Sequence, residues 1–184
     1  MECHLAGNTA SCNAYIGFGG NVGDVLTTLH RAVIAFHQTP GIVAVRLSSL
    51  WETAAVGGIP QPPFLNACAE LRIAPGSKHT PRTLLARLLD TERALGRDRT
   101  REIPDGPRPI DLDLLLFGNL EVNDPGPPAV FLPHPRLHRR AFVLAPLVEL
   151  VGSDFVLPGK PGGRAGDLLA IALTDPDQTI SRLS

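Results

Sequence analysis

The sequence has almost no net charge, few cysteines and no long apolar run, and each shortage argues against a class of protein. Lysine and arginine number 17 against 18 acidic residues, so the chain has no general attraction to nucleic acid or to an anionic membrane. The three cysteines, Cys3, Cys12 and Cys68, are odd in number and lack metal-type pair spacing, which suits a reducing compartment. No basic segment precedes a long apolar run at the N-terminus, and no stretch approaches a membrane span in length. We therefore expect a cytoplasmic protein without a nucleic-acid or membrane partner.

The length and apolar content predict one folded domain. With 184 residues, 43% of them hydrophobic, the chain can bury a substantial core. We expect residues 1–12 to form a flexible N-terminal tail and residues 13–184 to form a single domain, present as a monomer.

The order of the predicted elements indicates the fold class. They are a strand at 13–19, a helix from Asp24 to Pro40, a strand at 42–52, a loop at 53–63, a strand at 64–73, a helix from Thr80 to Gly96, and a strand at 110–117. This order is typical of an α+β, ferredoxin-like βαββαβ core with an antiparallel sheet, both helices on one face and the other face free. A C-terminal extension follows, with a helix from Arg136 to Leu150, irregular chain at 151–163 and a short helix from Gly166 to Leu173.

The strand at 110–117 carries two acidic residues near its start. Alternation divides its residues into two faces, Ile110, Leu112, Leu114 and Leu116 against Asp111, Asp113, Leu115 and Phe117. Two residues of strand separate the carboxylates by about 6 to 7 Å, and at an effective dielectric of about 20 their charges repel by about 2.5 kcal/mol. A cation bound between them would reduce this repulsion. Oxygen ligands without nearby His or Cys favour Mg²⁺ that shares its shell with substrate phosphates. The alternative is a solvated strand end whose acids pair with arginines.

Two further features flank this strand. Phe64 and Asn66 share the face of their strand that we expect to be open, and they suit a flat heteroaromatic ring; the alternative is an edge aromatic beside a turn-bonding asparagine. Five arginines, Arg93, Arg97, Arg99, Arg101 and Arg108, lie in or beside a polar loop that could clamp a polyphosphate as a lid or pair with the neighbouring acids. The glycine-rich turn at 19–24 lacks the Lys-Ser/Thr of a P-loop, so we interpret it as structural.

Several short motifs, taken in order, resemble one enzyme family. They are Tyr15 to Asn21, Thr53 to Gly57 with Phe64 to Ala67, Gly96-Arg97, Gly106 to Asp113, and Pro133 to Arg136 with Arg140 to Leu144. From about residue 13 to residue 150 the chain resembles the 6-hydroxymethyl-7,8-dihydropterin pyrophosphokinases of folate biosynthesis. Gly20 and Pro109 depart from the family pattern, in which serine and threonine are common at these positions.

The resemblance implies an enzyme that transfers diphosphate from ATP to 6-hydroxymethyl-7,8-dihydropterin and releases AMP. It implies that Asp111 and Asp113 hold two Mg²⁺ ions and that they act in catalysis with Arg97, Arg108 and His134. The residues implied at the nucleotide are Glu92, Arg97, Arg99, Arg108, His134 and Arg140. The residues implied at the pterin are Thr53, Ala54, Val56, Phe64, Asn66 and Phe142, with the two phenylalanines on either side of the ring.

Two other classes share this topology. Palm-type nucleotidyl transferases also place two acids on such a sheet, but they release pyrophosphate instead of AMP. RNA-binding modules of this topology read bases with exposed sheet aromatics, and the RNP-type aromatic signature is missing from this sequence. A dedicated general base is not evident; Asp113 and a hydroxyl made more acidic by metal are both possible.

Overall fold

Six strands form one antiparallel sheet in residues 11–55 and 59–183, the ranges that the computed structural model describes. The elements of the first two-thirds of the chain are β1 (Cys12–Gly20), α1 (Val25–His37), β2 (Ile42–Leu47), β3 (Trp51–Thr53), β4 (Phe64–Ile73), α2 (Pro81–Ala94) and β5 (Asp111–Phe117). The later elements are β6 (Val122–Asp124), β7 (Val130–Leu132), a 3-10 turn (Leu137–Arg139), α3 (Ala141–Val151), β8 (Val156–Leu157), β9 (Gly163–Arg164), α4 (Ala165–Ala172) and β10 (Ile180–Arg182).

The sheet is centred on β1 and β4. Strand β1 pairs with β5 on one side and with β4 on the other, and the far edge of β4 pairs with both β2 and β3. The single strand that we predicted at 42–52 is therefore divided, because residues 48–50 lie opposite residues 67–68 of β4. The Ser48 hydroxyl compensates by accepting a hydrogen bond from the Cys68 amide at 2.9 Å.

Helices α1 and α2 cover one face of the sheet, as predicted. The Asp24 carboxylate caps α1 by accepting from the Thr27 amide at 3.1 Å, and Thr80 caps α2 ahead of Pro81. Their buried residues pack on the sheet in one core that includes Leu29, Phe36, Leu84, Leu88, Ile16 and Leu71. Leu26 of α1 is 53% exposed, because it lies beside the buried stripe of the helix and not in it.

The other face of the sheet is not free, which corrects the sequence-based expectation. Helix α3 packs there, and a second core forms from its Leu144 and Leu147 with Tyr15, Cys68 and Leu115 of the sheet. These sheet residues are apolar or nearly so, and their burial favours docking of the almost wholly apolar α3. The free area is thus reduced to the end of the sheet where β5 begins.

A β-bulge changes the predicted alternation of β5. Ile16 pairs with Leu114 and Tyr15 pairs with Leu116, so Leu115 is an extra residue in the strand. As a result Leu116 lies in the core under α3 and Phe117 in the core under α1 and α2, the reverse of the prediction. Asp111 and Asp113 precede the bulge, so their shared face is unaffected.

The two ends of the chain also differ in detail from the prediction. Cys12 already belongs to β1, so the strand begins within the expected tail, and residues 1–10 lie outside the described part of the chain. The predicted helix from Arg136 begins as a 3-10 turn before α3, and the chain expected to be irregular at 151–163 contributes the β8–β9 hairpin. Strand β10 extends the sheet by pairing with β3. No helix among the described residues is long and apolar enough to cross a membrane.

Candidate active site

Asp111 and Asp113 lie side by side at the uncovered end of the sheet. In the neighbouring strand β1, Gly19 is paired with Asp111 and Gly17 with Asp113. Neither glycine has a side chain beside the carboxylate of its partner. A Cβ atom on Gly19 would lie 3.2 Å from the Asn66 Oδ1 atom and 3.9 Å from the Asp111 Cβ atom. Gly19 therefore keeps the floor of the site open between Asp111 and Asn66, whereas the space beside Gly17 is taken by the Leu115 side chain.

Arginines surround Asp111. Its carboxylate accepts a hydrogen bond from Arg97 Nη1, and Arg108 Nε and Arg99 Nη2 lie 3.1 Å and 3.9 Å from its oxygens. Burial disfavours the charged form of Asp111, but these cations outweigh it and lower the pKa of the carboxyl. Arg108 Nε lies close to Asp111 without hydrogen-bond alignment, and among the described residues it is the buried side-chain nitrogen left without a hydrogen-bond partner.

Asp113 has a different environment although it lies only two residues away. Its nearest basic side chains lie at the limit of ion-pair distance, with His134 Nε2 and Arg140 Nη1 each 4.0 Å from a carboxylate oxygen. Burial raises the pKa of Asp113, and the charge of Asp111 raises it further. Burial also lowers the pKa of His134, so the neutral imidazole is favoured. Asp113 is thus the acid whose charge the protein compensates least.

A buried ion-pair network lies behind Asp111. Glu92, near the end of α2, is 1% exposed although it is charged. It accepts hydrogen bonds from Arg97 Nη1 at 2.6 Å, from Arg99 Nη2 at 2.7 Å and from the Leu112 amide at 2.7 Å. Glu102 holds the other side of Arg97, accepting from Nε and Nη2 at 2.7 and 2.9 Å. Burial raises the pKa of Glu92, with the two arginines acting in the opposite direction.

Two cavities meet at Asp113. The first, of about 330 Å³, includes Asn66, Phe64, Phe142 and both acids in its lining, and we call it the Asn66 cavity. The second, of about 420 Å³, lies on the other side of β5 and includes His134, Arg99, Leu89 and Asp113; we call it the His134 cavity. Each is of a size that holds a small organic ligand. Because Asp113 lines both, ligands in the two cavities would approach each other there.

The model of the family described as 7,8-dihydro-6-hydroxymethylpterin-pyrophosphokinase matches residues 15–152, most of the chain. The chain belongs to this family.

Relatives of known name agree with the family match. A 2-amino-4-hydroxy-6-hydroxymethyldihydropteridine pyrophosphokinase of Bacillus subtilis is 41% identical over 139 residues, which cover 74% of this chain and 77% of the relative. One of Methylorubrum extorquens is 40% identical over 147 residues, covering 80% and 87%. A mitochondrial folate synthesis bifunctional protein of Arabidopsis thaliana is 39% identical over 138 residues, covering 75% of this chain and 23% of that protein. These matches favour a pyrophosphokinase over the two other classes considered above.

A solved structure supports the fold of the pyrophosphokinase domain. An HPPK-DHPS structure in complex with substrates superposes with a TM-score of 0.66, covering 95% of this chain and 47% of that chain. Its sequence identity is 11%, so this likeness concerns the fold alone.

Most of the site residues predicted for the pyrophosphokinase lie together. Lining the Asn66 cavity are Thr53, Ala54, Phe64, Asn66, Arg108, Asp111, Asp113, Arg140 and Phe142. Arg99, Asp113 and His134 line the His134 cavity. Glu92 and Arg97 line neither; they are buried behind Asp111. Val56 lies outside the described residues.

The residues predicted to bind the pterin contact neighbouring side chains of the site. Asn66, 3% exposed, donates from Nδ2 to the Thr53 hydroxyl at 3.0 Å. The Arg108 guanidinium lies 4.9 Å from the centre of the Phe64 ring, and the Arg140 guanidinium lies 5.3 Å from that of Phe142. Each aromatic wall of the Asn66 cavity is thus paired with an arginine that also faces an acid.

Sequence reasoning missed two groups of residues at the pyrophosphokinase site. Buried Asn21 donates to Gln61 Oε1 at 2.9 Å and accepts from the Arg108 amide at 2.9 Å, so it ties the glycine-rich turn to two loops of the site. Its position in that turn was visible, but its partners are 40 and 87 residues away. The second group, Asp175, Asp177 and Gln178, comes from the C-terminal chain, and no motif in the sequence pointed to it.

Proposed function

We propose that the two cavities and the acids between them form the active site for diphosphate transfer from ATP to 6-hydroxymethyl-7,8-dihydropterin. The reaction itself is that of the family to which the chain belongs. The observation that carries the placement is that Asp113 lines both cavities, so a ligand in each would bring its reacting atoms to the same carboxylate. Holding two reactants in this way makes the transfer effectively unimolecular.

The donor set at the junction fits magnesium. Two carboxylates share one face of β5, opposite glycines, and Asp113 makes no hydrogen bond with a described residue that would occupy its oxygens. Within residues 11–55 and 59–183, no group of three or more His, Cys, Asp or Glu side chains could hold a metal ion by itself. An ion at Asp111 and Asp113 would therefore complete its shell with phosphate oxygens and water, as Mg²⁺ commonly does.

We assign two Mg²⁺ ions to this pair of acids. When bound, they would neutralise charge on the triphosphate and make the pterin hydroxyl more acidic. Asp111 would be the better-held ligand, because its neighbours Arg97 and Arg108 already favour its charged form. Asp113 would gain more from the ions, because its own charge is poorly compensated.

The Asn66 cavity is proposed to bind the pterin. Its ring would lie between Phe64 and Phe142, and the Asn66 amide would bond the polar edge of the ring. The Thr53 hydroxyl orients that amide by accepting a hydrogen bond from Asn66 Nδ2. The Asn66 side-chain oxygen is then directed toward the cavity floor beside Gly19. The hydroxymethyl group would then extend toward the two acids.

The His134 cavity is proposed to bind the nucleotide. Its apolar lining from α2 and β7 suits a base, while Arg99 and His134 face the phosphates. Arg108 Nε is buried and has no hydrogen-bond partner, so it could donate to a phosphate oxygen that binds next to Asp111. Arg97 is fully engaged by Glu92, Glu102 and Asp111, so its proposed catalytic role requires it to exchange one carboxylate for phosphate.

The proposal also covers the fold class, the oligomeric state and the location of the protein. The strand order β5-β1-β4 with β2 and β3 at the far edge, together with α1 and α2 on one face, supports a ferredoxin-like core with a C-terminal extension. We also propose that the chain is a monomer and that it is cytoplasmic; the low cysteine content supports the second proposal.

The decisive experiment is to incubate the protein with ATP, Mg²⁺ and 6-hydroxymethyl-7,8-dihydropterin and to identify the products. AMP should form only when the pterin is present, in equal amount to the pterin diphosphate. Pyrophosphate released without pterin would favour a nucleotidyl transferase and overturn the assignment. The same assay with the metal removed by chelation should give no turnover.

A further inference from the structure

The C-terminal segment 174–183 contacts both walls of the Asn66 cavity. Strand β10 pairs Ile180 with Thr53 on one wall, and Gln178 reaches the start of α3 on the other. This segment lies beyond residues 15–152, the part of the chain that the family model matches. Its contribution to the cavity therefore comes from outside the region that the family model matches.

The start of α3 has no cap from its own side chains. Its N-cap residue, Arg140, makes no side-chain capping bond, so the first amides of the helix need a partner from elsewhere. Gln178 supplies it: its Oε1 atom accepts from the Ala141 amide at 2.7 Å, and its Nε2 atom donates to the Arg139 carbonyl at 2.9 Å. One side chain thus binds the chain on both sides of Arg140.

The residues held in this way are site residues. Arg140 and Phe142 flank Ala141, and both line the Asn66 cavity. The Arg140 guanidinium lies over the Phe142 ring and 4.0 Å from Asp113, so a rotation of the first turn of α3 would move the ring and the charge together. We call these two hydrogen bonds of Gln178 the clamp. The half-buried Gln178 uses both its side-chain oxygen and its side-chain nitrogen in the clamp, so neither atom is directed at a ligand.

We propose that Gln178 is a positioning residue for the pterin. Through the Ala141 amide and the Arg139 carbonyl it sets the position of Phe142 against the ring and of Arg140 against Asp113. The inference rests on the proposed function, because it assumes that the Asn66 cavity holds the pterin. The His134 cavity is lined by residues of α2, β5 and β7, by Arg99 and by residues 134–136, and not by α3. Of the residues implied at the nucleotide, Arg140 alone is held directly by the clamp, so nucleotide binding should depend on Gln178 less than pterin binding does.

Three substitutions test the clamp in the full chain. Gln178→Leu removes both hydrogen bonds while keeping a side chain of similar size. Gln178→Asn shortens the side chain so that it cannot make both hydrogen bonds. Gln178→Glu keeps an oxygen for the Ala141 amide, where the helix N-terminus favours negative charge. Gln38→Leu, on an exposed glutamine at the end of α1, is the matched control. Pterin and a non-hydrolysable ATP analogue are titrated by calorimetry, with thermal unfolding of each variant.

We expect Gln178→Leu and Gln178→Asn to weaken pterin binding about tenfold, equivalent to about 1.4 kcal/mol and within the usual cost of losing a helix cap. The ATP analogue should bind within about threefold of wild type. Gln178→Glu should weaken pterin binding by less than Gln178→Leu does, because it keeps the bond from the Ala141 amide but replaces the donor to the Arg139 carbonyl and the Asp175 carboxylate by an acceptor. If Gln178→Leu does not fold, Gln178→Asn is judged by the same criterion.

Three results would overturn the inference: pterin affinity unchanged in Gln178→Leu, equal losses for pterin and nucleotide, or a loss in Gln178→Glu as large as in Gln178→Leu. A wild-type protein that binds nucleotide but no pterin would instead contradict the proposed function, so the two failures are distinguishable.

Discussion

Replacing Asp113 by asparagine should separate catalysis from stability. The change keeps the shape of the side chain and removes a charge that the ligand-free protein compensates poorly, with cations no closer than 4.0 Å. It also removes the repulsion from Asp111, about 2.5 kcal/mol for two charges 6 to 7 Å apart at a dielectric of about 20. The Asp113 side chain is 34% exposed, so solvent screening reduces this to about 1 kcal/mol.

We therefore expect Asp113→Asn to lose turnover while gaining stability. The rate of AMP formation should fall by about 10²- to 10³-fold or more, the usual effect of removing one group that stabilises transition-state charge. Without nucleotide and Mg²⁺, the melting temperature should rise by about 2–4 °C, the shift expected for about 1 kcal/mol in a chain of this size. Pterin binding measured by calorimetry should persist, because Asn66 and the aromatic walls are unchanged.

Asp111→Asn is the matched comparison. It should also abolish turnover, but it should lower the melting temperature, because Arg97 and Arg108 lose their common carboxylate in a buried position. Turnover of Asp113→Asn within threefold of wild type would refute the metal-binding role of Asp113. A fall in melting temperature equal to that of Asp111→Asn would refute the argument that its charge is uncompensated.

Three other substitutions test separate parts of the site. Asn66→Ala should weaken pterin binding by about 1–3 kcal/mol, the cost of a lost buried hydrogen-bond partner, with little effect on an ATP analogue; equal losses in calorimetry would contradict the placement of the pterin edge. Glu92→Ala should reduce the free energy of unfolding by about 3–5 kcal/mol, because it leaves Arg97 and the Leu112 amide without their buried partner; urea unfolding that matches wild type would show that the network is dispensable. Gly20→Ala should cost about 1–3 kcal/mol in the same measurement, because its Cβ atom would lie 2.7 Å from the Pro109 carbonyl oxygen, and no loss would mean that the two segments separate easily.

The contact between Gly20 and Pro109 also explains a departure from the family pattern. Serine is common at the first position and threonine at the second, but here any Cβ atom at residue 20 would be too close to the Pro109 carbonyl. The Asn21 amide donates to the Arg108 carbonyl at 3.0 Å, which holds the two segments at this short separation. Glycine at residue 20 therefore suits the close packing of this turn on Arg108 and Pro109.

Local rules placed the two acids correctly because they depend only on neighbouring residues. Side chains alternate along any strand, so Asp111 and Asp113 had to share a face whatever the rest of the fold. The same rule failed three residues after Asp113, at Leu116, because a bulge opposite Tyr15 and Ile16 inserts an extra residue. A bulge depends on how two strands pair, and no pattern within β5 alone reveals it.

The charged residues show the same division. The family resemblance implied Glu92 and Arg97 at the nucleotide, but only the packing of α2 on β5 shows Glu92 buried, with its carboxylate accepting from the Leu112 amide. A buried carboxylate is tolerated there because two arginines and that amide compensate it.

By itself, then, the sequence determined the family, the order of the core elements and the shared face of Asp111 and Asp113, because these depend on short motifs and on strand and helix periods. The tertiary structure decided which face of the sheet α3 covers, how Asn21 joins two loops, and that Gln178, 37 residues from Ala141, completes the wall of the Asn66 cavity. Contacts of this range form only when the whole core has packed, so their partners cannot be read from local sequence.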